Sequence, residues 1–318
     1  MRASLPAACL ATLLTACGGG DGAAPGGGAD GGGSGDAGAP DGAAPLLPFA
    51  GPCTIERDDG ADDVLDEREL YTYDEHGNQV LREVDSPLGG PIDKRVVTSY
   101  DRGDRIIEME GDDDGDGSAD RRSRWSYDAA GNNIHFESDA GDDGSLELVI
   151  ERLFDRMNRI TRAETDQNDD GVDQIDSYTY QALQYFADSD LDADHEVDQR
   201  QIYIHGDDDL IDRIEVDLQF DDVIDMVQTW TYDDGGRILE REVDSDADGE
   251  ADQIAIFTYD ASGFLIRVEG DTGANGSIDN RTSYTRDERG NALVEEYDED
   301  ADGQIEDRTA YSYECWSD

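Results

Sequence analysis

Along most of this chain, large apolar residues alternate with small polar or charged ones in short bursts, each ending in the same kind of turn. Examples are Trp125-Ser126-Tyr127, Trp230-Thr231-Tyr232, Phe257-Thr258-Tyr259 and Tyr311-Ser312-Tyr313. Residues two apart lie on one face of a strand, and aromatic residues suit a pleated, half-buried surface. The last position of each burst anchors a repeat: Tyr73, Tyr100, Tyr127, Phe154, Tyr180, His205, Tyr232, Tyr259, Arg286 and Tyr313, spaced 25 to 27 residues apart. In half the copies Asp-x-x-Gly follows the anchor, as in Asp74 to Gly77, Asp128 to Gly131 and Asp260 to Gly263. An Asp that bonds its own turn and a Gly able to take positive φ make a tight hairpin. A second strand such as Arg237 to Val243 then runs into an acidic loop. The pattern predicts an all-β chain: about ten 27-residue, two-stranded repeats in a long antiparallel meander. Turns line one edge and acidic loops the other.

A meander of about twenty strands would span on the order of 95 Å if flat, and open sheets that large curl or close. The cysteines bear on this point. Cys53 and Cys315 bracket the whole repeat region. A bond between them requires Cα atoms within about 7 Å, hence a ring, a barrel or a returning spiral. Intermolecular pairing and free thiols remain the other two readings.

The acidic loops carry the candidate chemistry. Carboxylates at positions 1, 3, 5 and 9 of a tight loop, with a bend residue at 6, can converge on one hard cation. Asp112, Asp114, Asp116 and Asp120 do so with Gly117; Asp244, Asp246, Asp248 and Asp252 with Gly249; Asp298, Asp300, Asp302 and Glu306 with Gly303. Asp190, Asp192, Asp194 and Asp198 form a fourth set, with His195 at the bend. Five further loops, Asp58 to Asp66, Asp139 to Glu147, Asp166 to Gln174, Asp217 to Asp225 and Asp271 to Asp279, each lose or soften a ligand. Asp85 to Asp93 places Pro87 and Gly89 at ligand positions and is expected to bind nothing. Calcium at several sites is the expected cofactor, with dissociation constants of about 10⁻⁴ to 10⁻³ M because no bidentate position-12 glutamate is present. Neighbouring loops two strands apart stand roughly 10 Å from each other, about one Debye length at physiological salt. Bare loops would therefore repel one another.

The 80 acidic and 24 basic residues give a net charge of -56, which opposes binding to nucleic acid. Such a charge is also a signature of disorder, but the phased aromatic positions argue for folding. The histidines, His76, His135, His195 and His205, fall on different repeats, and no nucleophile motif or phosphate-binding glycine loop stands out. Acidic pairs are too widespread for a glycosidase pair to be singled out. The chain reads as a non-enzyme. Trp125 and Trp230 are expected to pack, with sugar stacking as the alternative. Short strands with charge on both faces argue against a transmembrane barrel.

Residues 1–17 have Arg2, a short apolar run and small residues before a cysteine, the layout of a secretory signal. Leu14-Thr15-Ala16-Cys17 resembles the bacterial lipoprotein lipobox, which implies lipidation of Cys17 and loss of Cys9 with the signal. Gly18 after that cysteine favours the outer membrane. Residues 18–52, rich in Gly, Ala, Pro and Asp, read as a disordered tether, and 53–318 as the repeat domain.

Tyr73 to Asn78, Tyr127 to Asn132 and Tyr232 to Arg237 carry a Tyr-Asp-x-x-Gly-Asn/Arg signature that resembles the YD or Rhs repeat family. The resemblance implies a curling sheet that wraps into a shell, sometimes around a toxin or with a carbohydrate-binding role. The acidic loops depart from that family and are instead similar to thrombospondin type 3 repeats. The sequence as read ends at Asp318, without a toxin domain to enclose. The expected function is a calcium-stabilised, lipid-anchored cell-envelope module, binding or structural, with a polysaccharide or protein ligand. The alternatives are a carbohydrate-binding or adhesion protein and a shell fragment related to Rhs toxins.

Overall fold

The computed structural model describes residues 50–206 and 208–316. The signal, most of the tether and Cys17 lie outside the described residues.

The repeat region forms one sheet of twenty antiparallel strands, β1 (Thr54–Asp59) to β20 (Asp307–Ser312), each six to eight residues long. Consecutive strands pair throughout. β1 pairs with β2 (Glu67–Tyr73) on one side and with β20 on the other, so the meander closes into a barrel without edges. Closure removes the unpaired N–H and C=O rows that an open sheet would present. Cys53 and Cys315 form a disulfide across this seam, with Cα atoms 5.7 Å apart. Of the three readings left open above, the intramolecular bond is the one formed.

The register fixes the size of the ring. Ile55 pairs with Glu69, which pairs with Val84 in β3 (Gln79–Asp85), two residues beyond the 27-residue counterpart of Ile55. An advance of two residues per hairpin over ten hairpins makes the shear equal to the strand number, as in eight-stranded barrels with a tilt of about 36°. Twenty strands at that tilt enclose a backbone circle on the order of 35–40 Å across. Side chains cannot fill it. Each strand contacts only its two sheet neighbours, and the buried apolar residues are few: Cys53, Val84, Val96, Ala163, Ile175, Val216, Val227 and Val243.

Backbone polar groups at the splayed turn edge are satisfied by the anchors themselves. Beyond the last β3–β4 pair, with β4 spanning Lys94–Tyr100, the carbonyl of Gln79 accepts the Tyr100 hydroxyl at 2.8 Å. Tyr127, Tyr232 and Tyr259 donate in the same way to Ile106, Ile211 and Ile238 at 2.7 to 2.8 Å. Arg286, an anchor without a ring, uses its Nε on the Leu265 carbonyl at 2.6 Å. The tyrosine period is thus a hydrogen-bonding requirement as well as a packing one.

The two faces differ. Anchor-side positions are half-buried and form the concave wall, where side chains converge. Their middle row carries Tyr71, Trp125, Tyr178, Tyr203, Trp230, Phe257, Tyr284 and Tyr311. The convex wall is more exposed and carries cross-strand ion pairs such as Arg68–Glu56, Arg122–Glu110, Arg200–Asp188, Arg281–Glu269 and Arg308–Glu296. These pairs form a charged row near the acidic-loop edge, unlike the apolar outward band of a barrel that spans a membrane. Among the described residues no helix is long and apolar enough to cross one.

Candidate functional site

The acidic loops fold by a shared set of internal bonds. In nearly every copy, the position-1 aspartate, last or next to last in its strand, accepts the N–H of position 6 through Oδ2, as in Gly117 to Asp112 (2.9 Å), His195 to Asp190 (2.8 Å) and Gly249 to Asp244 (2.9 Å). The position-9 carboxylate accepts the N–H of position 2, as in Asp113 to Asp120, Leu191 to Asp198, Ser245 to Asp252 and Glu299 to Glu306, at 2.6 to 2.7 Å. The loops with decayed ligand sets keep these staples: Leu218 donates to Asp225 and Thr272 to Asp279. Position 6 needs positive φ, which is why Gly recurs there. Gly117, Gly249 and Gly303 lie at φ of 91, 96 and 94°, and His195 is held at 76°. A left-handed residue other than Gly costs about 1–2 kcal/mol. His195→Gly is therefore expected to raise stability by roughly 1 kcal/mol, read as a higher unfolding midpoint.

The four sequence-predicted ligand sets each bring three carboxylates together. Asp112, Asp114 and Asp120 offer oxygens within 4.8 Å of one another; so do Asp190, Asp192 and Asp194, then Asp244, Asp246 and Asp248, then Asp298, Asp300 and Asp302. Oxygens bound to one calcium at 2.3–2.6 Å stand no more than about 5 Å apart, so the spacing fits that ion. Asp116, Asp198, Asp252 and Glu306 fall outside these groups. Asp116 accepts the N–H of Ser118, and the other three serve as position-9 staples.

Two of these loops differ from the rest. In the others, Oδ1 of the first aspartate also takes a backbone N–H, as Asp190 does from Asp194 at 3.1 Å and Asp244 from Asp248 at 3.2 Å. Among the described residues Asp112 Oδ1 and Asp298 Oδ1 are buried with no hydrogen-bond partner, as is Asp85 Oδ1 in the loop whose ligand positions hold Pro87 and Gly89. Asp112 is 9% exposed and Asp298 2%. An orphaned buried carboxylate oxygen costs on the order of 1–3 kcal/mol or more, which a cation would offset.

A fifth group, Asp166, Asp170 and Asp173, is a correction to the sequence expectation for that loop. A nine-residue frame puts Gln174 at the final position. The loop is one residue shorter, however, and Asp173 takes over the staple to Gln167 N–H at 2.6 Å. The 26-residue interval between Phe154 and Tyr180 carried that signal.

Sequence reasoning missed a cluster on the inner wall at the closing seam. Glu69 is 1% exposed, the most deeply buried large side chain described. Its Oε1 accepts Arg57 Nη1 at 2.5 Å and its Oε2 accepts Arg82 Nε at 2.5 Å, and the Tyr71 hydroxyl also donates to Oε2. Arg57 reaches Glu67 as well. Burial pushes the carboxyl up, yet the hydrogen bonds from Arg82, Tyr71 and Arg57 prevail and hold it at about 2. The network ties β1, β2 and β3 together beside the disulfide.

The histidines do not converge. His76 pairs with Asp104 in a turn, His135 with Glu151 on the convex wall, and His205 meets the Asp209 carbonyl.

No protein-family profile matches the chain, and no curated protein matches it. Among solved structures, a porin-like protein from Bacteroides uniformis aligns at 10% identity over 71% of this chain and 96% of that one, with a TM-score of 0.35. TcdB2-TccC3 aligns at 12% identity over 78% of this chain, with a TM-score of 0.34. The matched part is 17% of the TcdB2-TccC3 chain. Identities and TM-scores this low carry no argument about what the chain does.

Proposed function

We propose that this chain is a calcium-stabilised, lipid-anchored cell-envelope protein whose closed barrel serves as a non-enzymatic binding or structural module. The observation that supports it is the pair of buried, partnerless oxygens, Asp112 Oδ1 and Asp298 Oδ1, each on a residue grouped with two further carboxylates. Asp112, Asp114 and Asp120 would hold one ion, and Asp298, Asp300 and Asp302 another. Calcium there neutralises charge along an edge that otherwise repels itself, and the barrel stiffens. Lipid attachment at Cys17 follows from the lipobox resemblance alone.

The test is thermal unfolding with millimolar calcium against EDTA, at fixed ionic strength. Calcium is expected to raise the midpoint, and Asp298→Asn is expected to remove part of the rise. Identical melts in the two buffers would overturn the reading.

A second reading is a carbohydrate-binding protein, favoured by the belt of aromatic residues on the inner wall. Each face of Trp125 or Trp230 left open to the lumen would stack on a sugar ring. Glycan-array binding lost in Trp125→Ala would support it, and an array without signal would remove it.

A further inference from the structure

The turn edge, opposite the acidic loops, holds a device repeated along the ring. Five residues after an anchor, Arg105, Arg159 and Arg237 fold back against their turn aspartates and cover the anchor tyrosine of the next repeat. Arg105 lies 4.6 Å from the Tyr127 ring centroid, Arg159 4.3 Å from Tyr180 and Arg237 4.9 Å from Tyr259. A guanidinium over a tyrosine face is held by the ring quadrupole.

Other repeats place a different residue there, Asn78, Asn132, Asn291 and Phe264 among them, and the His205 repeat departs furthest. After the anchor His205, the turn aspartate is replaced by Gly206 and the arginine by Leu210. The next anchor, Tyr232, lines a cavity of about 790 Å³ together with Trp230, Leu210, Asp208, Asp212 and Asp234. Two carboxylates converge over Gly206. A Cβ added there would stand 2.6 Å from Asp212 Oδ2 and 3.0 Å from Asp208 Oδ1. That closeness sets two like charges side by side. Asp208, Asp212 and Asp234 form no salt bridge among the described residues, and Arg241, opposite Trp230 in the register, does not line the cavity.

The electrostatics differ from the other repeats in the same sense. Burial raises the Tyr127 and Tyr180 phenols, and the adjacent Arg105 and Arg159 oppose the rise. At Tyr232, burial is joined by the charges of Asp212 and Asp208, which push the same way.

We infer that this cavity is a binding site for a guanidinium group supplied from outside the chain, stacked on Tyr232 beside Trp230 and paired with Asp208 and Asp212. The sequence supplies the cation in cis at three other repeats; here the aromatic face remains, the arginine is leucine, the turn aspartate is Gly206, and Asp208 and Asp212 bring acid from other positions. A guanidinium suits the site better than an ammonium, because its planar, weakly hydrated face stacks while its edge reaches the carboxylates. The site is an open depression, so neighbouring atoms of a larger ligand also fit. This site lies apart from the calcium loops and stands or falls independently of them.

The experiment is calorimetric titration of the full domain with Nα-acetyl-arginine amide, its lysine counterpart, agmatine and a Gly-Arg-Gly peptide. Saturable, salt-sensitive binding in the millimolar range is expected, with the lysine compound weaker. A peptide that binds more tightly than agmatine identifies a polypeptide source, and the reverse order a small-molecule one. Leu210→Arg fills the site in cis, so it should abolish binding and raise the unfolding midpoint. Should that variant not fold, the double variant Asp208→Asn, Asp212→Asn should weaken binding by about tenfold. The proposal is overturned by an absence of saturable binding, by unchanged affinity in a folded Leu210→Arg variant, or by calcium displacing the arginine compound from the site.

Discussion

Replacing Cys53 and Cys315 with serine is expected to lower the unfolding midpoint by 10 °C or more, roughly 5 kcal/mol on the chain-entropy account of a long closed loop. The bond spans 262 residues, so it constrains almost the entire unfolded chain. It also sits where the ring is most exposed to failure. β1 must find β20, the most distant strand in sequence, and loop-closure entropy opposes that pairing more than any adjacent hairpin. Around the bond, Cys53 N–H donates to the Ser312 carbonyl at 2.7 Å and Trp316 Nε1 to the Gly51 carbonyl at 2.8 Å. Those contacts keep the seam closed only if the ends are already near one another. Unfolding followed with and without reductant checks the point. Coincident melts for the oxidised protein and the double serine variant would show that the seam holds without covalent help.

Glu69→Gln is expected to cost about 3 kcal/mol at neutral pH and to flatten the acid limb of the stability curve. The sign follows from the shift. The carboxyl lies at about 2 in the folded chain, below its ordinary 4.5. Its contribution is complete above about 4.5 and is lost as pH falls towards 2. Many other carboxylates titrate in that window, so the decisive quantity is the difference between wild type and variant at pH 7 and at pH 3. Parallel curves would mean that the Arg57, Arg82 and Tyr71 contacts add nothing to folding. Arg82→Met probes the other half of the pair. It leaves a carboxylate buried with fewer donors, which typically costs 3–5 kcal/mol, and its loss should exceed that of Glu69→Gln.

Much of the architecture was legible because a β repeat is a local object. Alternation fixes which residues share a face, Asp-x-x-Gly fixes a turn, and a 27-residue period fixes how many hairpins follow one another. The acidic loops were legible for the same reason, since their staples run between residues five to seven apart. Where one loop lost a residue, a fixed nine-residue frame misplaced its ligand, and Asp173 was passed over for Gln174.

Glu69 was not legible. In Glu67-Arg68-Glu69-Leu70 it reads as one acid among 80, and nothing local marks it as the buried one. Arg57 approaches from one neighbouring strand and Arg82 from the other, and that arrangement exists only once both flanks of β2 are paired. The Tyr232 cavity has a similar history. The sequence shows Leu210 where other repeats have arginine, but only the folded ring shows that this arginine position covers the following tyrosine rather than its own.

By itself, then, the sequence determined the strands, their turns, the orientation of each side chain and the composition of the loops, all set by interactions within one or two repeats. The tertiary structure decided the closure of the ring, the pairing of Cys53 with Cys315, the burial of Glu69, and which carboxylate oxygens were left without donors. Those outcomes depend on the accumulated tilt and register of twenty strands, a sum over the whole chain that no single repeat contains.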